Sequence, residues 1–315
     1  MSKKEKLIEN IARLKKEKNA IILAHYYQVA EVQDIADFVG DSLVLAQWAA
    51  KTTADIIVLC GVHFMGETAK ILSPEKRVFI PDMEAGCSLA DSCPADTFEA
   101  FVNAHPDHTV ISYVNTTAAV KALTDIVVTS TNAKFIVDSL PKDEKIIFGP
   151  DKNLGAYINR LTGRNMLLWN GGCHVHERFS IERIKELKKL YPSALILAHP
   201  ECPDPLLKMA DHVGSTTSLL QFATRSHHDQ FIVVTEPGIL HQMRLVNPGK
   251  EFIPAPPEDV DHVYNECSYM KLSTLEKVYR CLENESPEIF VDEAVRVKAV
   301  KPIKRMLEIS AKHGL

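Results

Sequence analysis

No stretch of this 315-residue chain is apolar for the roughly 20 residues a membrane span needs. No long basic run is present and the net charge is −5, so nucleic acid is not an expected partner. The cysteines form no CxxC pair, which leaves zinc ribbons and thioredoxin-like redox motifs without support. Their count, 7, is odd and the chain is long, which excludes a small disulfide scaffold. The N-terminus SKKEKLIENIARLKKEK lacks the apolar stretch of a signal peptide. Its Leu7, Ile8, Ile11 and Leu14 recur at helical spacing, as on a surface helix. A composition that is 46% hydrophobic and 24% charged then fits a cytoplasmic globular protein of two or three domains.

What the chain does contain is an internal repeat. IILAHYYQ (21–28), TVISYVNT (109–116) and LILAHPEC (195–202) are apolar runs that end in His25, Tyr113 and His199. Twelve positions past each anchor stands an aspartate: Asp37, Asp125 and Asp211. Seventeen past each stands a hydroxyl: Ser42, Ser130 and Thr216. Further apolar runs recur in each copy at DIIVLC, KIIFGP and QFIVVT, then at RVFIP, MLLWN and EFIPA, with helical patterns between them. Short β-branched runs alternating with helices predict parallel strands with crossover helices. The expected fold is α/β: three homologous three-layer α/β/α sandwich units around a pseudo-threefold axis. The expected limits are 1–104, 105–192 and 193–284. A helical tail at 285–315, interrupted near Pro302, is expected to pack on the first unit.

One cysteine per unit lies just beyond the last strand: Cys87, Cys173 and Cys267. Ligands of open α/β sheets bind at that edge. If the three edges face inward, the thiols converge. Three thiolates without a fourth suit zinc plus another ligand, or an iron–sulfur cluster with one iron free to act as a Lewis acid. Gly86, Gly171 and Gly172 favour the bulkier cluster by letting the backbone approach it. Cys60, Cys93 and Cys281 read as structural; Cys202 adjoins His199 and Glu201 but has no counterpart in the other copies.

The anchors complete the expected site. His25, Tyr27, Tyr113, Asn115, His199 and Glu201 fall at first-strand ends and supply groups that move protons and orient an anion. Ser42, Ser130 and Thr216 read as N-caps whose helix termini bind phosphate or carboxylate. His174 and His176 follow Cys173, and His176 in CHVH is the better site candidate.

ILAHYYQ, GDSL, AGCSLADSCPA, SYVNT, TSTNA, WNGGCHVH, HPEC, GST and ECSYMKLSTLEKVY together resemble the quinolinate synthases of bacteria and archaea, from about residue 20 to the end. The resemblance implies three α/β/α domains around one 4Fe-4S cluster per chain, ligated by Cys87, Cys173 and Cys267. It implies condensation of iminoaspartate with dihydroxyacetone phosphate to quinolinate, the pyridine precursor of NAD, with loss of phosphate and two waters. An aspartate-oxidising enzyme would supply the iminoaspartate. His25, Ser42, Tyr113, Asn115, Ser130, His199, Glu201 and Thr216 match substrate-contacting positions. Tyr27 and Glu201 are the expected proton-transfer pair, and His199 is expected to orient Glu201 or the substrate. Some family members carry a CxxCxxC run at the last ligand; here the stretch is Cys267-Ser268-Tyr269-Met270, with Lys271 next, so a disulfide proposed for that run cannot form.

Two rivals remain at this level. One is another three-cysteine iron–sulfur enzyme, such as an isoprenoid reductive dehydratase or a diphthamide-type enzyme. The other is a non-enzymatic cluster carrier, against which the acid–base groups at the strand ends argue.

Overall fold

The computed structural model describes residues 2–315. The same order of elements occurs three times. The first set is α1 (Lys3–Glu17), β1 (Ala20–His25), α2 (Ala30–Ile35), β2 (Phe38–Gly40), α3 (Ser42–Lys51), β3 (Ile56–Cys60), α4 (His63–Leu72), β4 (Arg77–Phe79) and a short α5 (Ser88–Asp91). The second is α6 (Ala95–Asn103), β5 (Thr109–Tyr113), α7 (Ala118–Lys121), β6 (Ile126–Val128), α8 (Ala133–Asp138), β7 (Ile146–Gly149), α9 (Lys152–Thr162), β8 (Leu167–Leu168) and a short α10 (His174–Glu177). The third is α11 (Ile181–Leu190), β9 (Leu195–Ala198), α12 (Asp204–Leu207), β10 (His212–Val213), α13 (Thr216–Arg225), β11 (Gln230–Val234), α14 (Ile239–Val246), β12 (Glu251–Pro254) and a 3-10 turn (Met270–Leu272). Two helices follow, α15 (Leu275–Asn284) and α16 (Glu293–Lys312).

The sheets are all parallel, ordered β2-β1-β3-β4, β6-β5-β7-β8 and β10-β9-β11-β12. In each, the winding reverses between the first and third strands, so a crevice opens there at the carboxyl ends. The continuous apolar strands follow from burial on both faces. Leu23, Ile57 and Leu59 pack with Leu45 and Ile71 of α3 and α4 on one face. Ile22, Ala24 and Val58 pack with Ile11 and Leu14 of α1 on the other. In the third sheet Ile196 and Val234 meet Ile184 of α11, while Leu197 and Val233 meet Leu219 of α13.

The repeated aspartates have a structural task. Asp37, Asp125 and Asp211 each accept, through Oδ2, the backbone N–H of the first strand's residue 15 earlier, at 2.8 Å from Ile22, Val110 and Ile196. Each donates its own N–H back to that residue's carbonyl. The clasp fixes the entry to the second strand against the first. A side chain that satisfies a buried strand N–H contributes about 1–3 kcal/mol when its loss leaves that donor unpaired.

The helix leading each set covers the sheet that follows it. Phe98 of α6 is buried with Val110 and Ile147 of the second sheet, and truncating such an aromatic costs about 3–5 kcal/mol. Ile184 of α11 is buried against the third sheet. α15 then returns to the first sheet, where Val278 and Leu282 join Ile11 and Val58. α16 touches α4 of the first unit and lies mainly along β6, α7 and α8 of the second. It runs unbroken through Pro302, although an interior proline costs a helix about 3 kcal/mol. Burial of Ala299, Ile303 and Met306 in the core shared by the first two units outweighs that cost. None of the described helices is long and apolar enough to cross a membrane.

Candidate active site

Residues just past strand ends in all three sheets line one cavity of about 720 Å³, counted out to its open mouth. Every residue expected in the site reaches it. His25 and Tyr27 enter at and after the end of β1, Tyr113 and Asn115 at and after that of β5, and His199 and Glu201 after β9. Ser42, Ser130, Thr216, His176, Cys87, Cys173 and Cys267 also line it.

The three thiols sit at equivalent places. Cys87 and Cys173 immediately precede α5 and α10, and Cys267 precedes the 3-10 turn. Burial pushes all three thiols up, Cys87 to about 12. In each case backbone N–H groups two and three residues on pull the other way: Leu89 and Ala90, Val175 and His176, Tyr269 and Met270. A buried thiol beside helix-start N–H groups, and within the field of a second thiol, is a donor suited to a soft metal. The donor set therefore fits a thiolate-bound metal group. Cys173 Sγ, His176 and Glu201 also bring ligand-type atoms within 4.8 Å of one another.

Two of the three glycines expected to admit a cofactor serve otherwise. A Cβ on Gly171 would strike Ser92 Oγ at 2.4 Å, and one on Gly172 would strike the Glu177 carboxylate at 2.7 Å. Those glycines make room for neighbouring side chains rather than for a cofactor. The N-cap reading is corrected too. The cap of α3 is Asp41, that of α8 is Asn132, and that of α13 is Ser215. Ser42 and Thr216 are one position inside their helices, and Ser130 lies two before its cap. Their hydroxyls are thus spared from capping. Asp41 also accepts from Thr131 at 2.9 Å and Thr217 at 2.7 Å, joining the three units beside the cavity. Asn115 Oδ1 is buried without a hydrogen-bond partner among the described residues. An orphaned acceptor in a cavity wall calls for a ligand donor.

The acid–base groups form one connected chain. The hydroxyls of Tyr27 and Thr235 are 2.6 Å apart, and Thr235 Oγ1 lies 2.9 Å from His176 Nε2. His176 Nδ1 is 2.9 Å from Glu201 Oε2 and 3.3 Å from Cys173 Sγ. Tyr113 donates to Glu201 Oε1 at 2.6 Å. The phenol directly on the carboxylate is thus Tyr113, while Tyr27 reaches it through two intermediaries. His25 Nδ1 accepts the Tyr27 N–H at 3.1 Å, and His199 Nδ1 accepts the Glu201 N–H at 3.4 Å. Both rings therefore carry their proton on Nε2 when neutral. Burial holds His25 and His199 down to about 3, so they are neutral at physiological pH. Burial pushes Glu201 up, but His176 and the Tyr113 hydroxyl, both hydrogen-bonded to it, outweigh that and hold the carboxyl well below its usual range. Burial and the Glu201 charge raise Tyr27 and Tyr113, which stay protonated. The cavity thus holds a carboxylate among neutral proton donors.

His174 lines the cavity and meets Ser88, the residue after Cys87. Cys202 faces away, into the third unit's core, with Sγ 3.6 Å from the Val234 carbonyl. Sequence reasoning missed Thr235, Glu236, Asp151 and Lys271. Lys271 Nζ pairs with Glu236 at 2.7 Å and donates to the Tyr27 carbonyl at 2.6 Å. A usable signal existed: Asp151 and Glu236 each stand two residues past the third strand of their sheet.

The family model described as "Quinolinate synthetase A protein" matches residues 9–308. The quinolinate synthase of Thermosynechococcus vestitus is 57% identical over 304 residues, 96% of this chain and 95% of the relative. Those of a Synechocystis species and Chloroherpeton thalassium are 58% and 54% identical, each again over 304 residues and 96% of this chain, covering 95% and 94% of the relative.

Proposed function

The chain belongs to the quinolinate synthase family of enzymes, and on that premise we propose that its cavity condenses iminoaspartate with dihydroxyacetone phosphate. Quinolinate, phosphate and two waters account for every atom, and no oxidant or reductant is consumed. The observation that carries the reading is that Cys87, Cys173 and Cys267, one from each unit, share a cavity with Glu201. The three units are read as repeats about a pseudo-threefold axis, divided near residues 104, 192 and 284 and followed by the tail, with α6, α11 and α15 as connecting helices. The cytoplasm is the compartment we propose for the enzyme.

Cys87, Cys173 and Cys267 would hold one 4Fe-4S cluster, and its iron without a protein ligand supplies a Lewis acid toward substrate oxygen or nitrogen. The chain's own residues do the rest. Ser42, Ser130 and Thr216 offer hydroxyls to the phosphate and carboxylates, aided by the N-terminus of the ten-residue α13. Asn115 accepts a donor from substrate through its unpaired oxygen. His25 and His199, neutral, present Nε2–H groups that orient carboxylate or carbonyl oxygens. Glu201 removes a proton from carbon during isomerisation and ring closure, and Tyr27 returns one to oxygen. His176 and Thr235 connect the two, so the proton taken by Glu201 can reach Tyr27 without passing through water. Iminoaspartate must come from an enzyme that oxidises aspartate.

Anaerobically purified protein should carry about four iron per chain and form quinolinate from the two substrates, with an isoprenoid diphosphate inert. Cys173→Ser should lose iron and product together. Full iron with no quinolinate would leave a carrier as the better reading, provided the cluster passes readily to an apo acceptor.

A further inference from the structure

We infer that Asp151 and Glu236 are positioning residues that hold the backbone of two of the three cysteine ligands. This rests on the reading of Cys87, Cys173 and Cys267 as ligands and adds residues that the reading does not need. Asp151 stands 38 residues past Tyr113, and Glu236 stands 37 past His199. Each follows the third strand of its sheet by two residues, at the crevice where the winding reverses. Both side chains are 0% exposed. Asp151 Oδ2 accepts the Cys173 N–H at 3.1 Å, and Glu236 Oε1 accepts the Cys267 N–H at 3.3 Å. The same contact therefore occurs twice, in two copies of the repeat.

The remaining oxygens are occupied as well. Asp151 Oδ1 caps α9 at Leu154 N, 2.8 Å away, and Glu236 Oε2 accepts from Gly238 N at 2.7 Å. Burying a carboxyl group is unfavourable unless its partners require it. The sheet itself does not require it, because the first unit has Val62 at the matching place, 37 residues past His25. There the cysteine turn is held by main chain instead, with His63 N–H donating to the Ala85 carbonyl at 2.7 Å. Two of the three turns are thus fixed by a side chain that uses both oxygens, one on the backbone just after it and one on the cysteine.

That division of labour makes the test specific. An amide has one acceptor oxygen. Asp151→Asn can keep the α9 cap only by turning its NH2 toward the Cys173 N–H, donor against donor. Glu236→Gln meets the same conflict at Cys267. In the metal-free full chain, alkylation by a small thiol reagent should speed up at Cys173 alone in D151N and at Cys267 alone in E236Q, with Cys87 unchanged. Reconstituted anaerobically, each variant should lose iron to a chelator ~10- to 100-fold faster than wild type, the usual effect of removing an outer-sphere partner. The reduced cluster's electron-paramagnetic-resonance signal should change with it. Unchanged alkylation and iron loss in both variants would overturn the inference. So would equal acceleration at all three cysteines, which marks a general loss of structure. Wild type that binds no iron would instead sink the assignment of the ligands.

Discussion

The first and third units begin their site in the same way and finish it differently. A histidine stands at or just past the end of both first strands, and in both the ring's Nδ1 accepts the N–H two residues on. The backbone frame at the two places is therefore shared. The residue that frame presents is a phenol, Tyr27, in the first unit and a carboxylate, Glu201, in the third. Burial drives the phenol toward its neutral form, while His176 and the Tyr113 hydroxyl hold the carboxyl ionised against the same burial. One frame thus carries a donor at one place and an acceptor at the other. The second unit has Tyr113 at the anchor and Asn115 two residues on. The repeat supplies position, and single substitutions supply chemistry.

Breaking the acceptor side should have the largest effect. Glu201→Gln should lower kcat by about 10³ with iron content unchanged, within the range of general acid–base catalysis. Breaking the donor side should cost less, since the Tyr113 hydroxyl remains on Glu201: Tyr27→Phe should lower kcat by about 10². Exchanging the two residues, Tyr27→Glu with Glu201→Tyr, should not recover activity, because only the third position is flanked by His176 and His199. A recovered exchange mutant would show that the two frames are equivalent. Thr235→Val removes the link between the halves and should lower kcat by about tenfold with KM little changed, while Thr235→Ser restores it. That factor is the loss of roughly one hydrogen bond.

The shared histidines make a prediction in which the two units should behave alike. With His25 and His199 at about 3 in the fold and near 6.5 unfolded, the unfolded chain binds more protons between those values. Stability is then fully present above about pH 6.5 and falls as pH drops toward 3. Acid melting of His25→Asn and His199→Asn should each be less steep than wild type across that window. Equal slopes would show that the rings are not buried neutral. The smallest effect on catalysis belongs to the clasp common to all units. Asp125→Ala should lower unfolding stability by about 1–3 kcal/mol and leave kcat within twofold.

Much of this was legible in the sequence because a threefold repeat turns weak signals into a pattern. One cysteine beyond a strand says little; Cys87, Cys173 and Cys267 at matching places define a site. The same logic placed His25, Tyr113, His199 and the three hydroxyls. It failed by one or two positions at Ser42, Ser130 and Thr216, because Asp41 and Ser215 stand next door and take the capping bonds, while α8 starts at Asn132 without a side-chain cap. Thr235 was invisible, since its role depends on Tyr27 from one unit and His176 from another. Pro302 was taken as a break because helix propensity is local, whereas the core that holds α16 together is not. α15 was counted with the third unit by chain order, and only packing shows that it lies on the first sheet.

The reversal between first and third strands, present in every sheet, has a further consequence for how such a cavity can change. A trimer of identical chains would have to place the same side chain three times around its centre, so it could not set one carboxylate between two unlike neighbours. Joined in a single chain, each copy can alter its own loop while the sheets behind stay fixed. New specificity can then be sought by editing one crevice at a time.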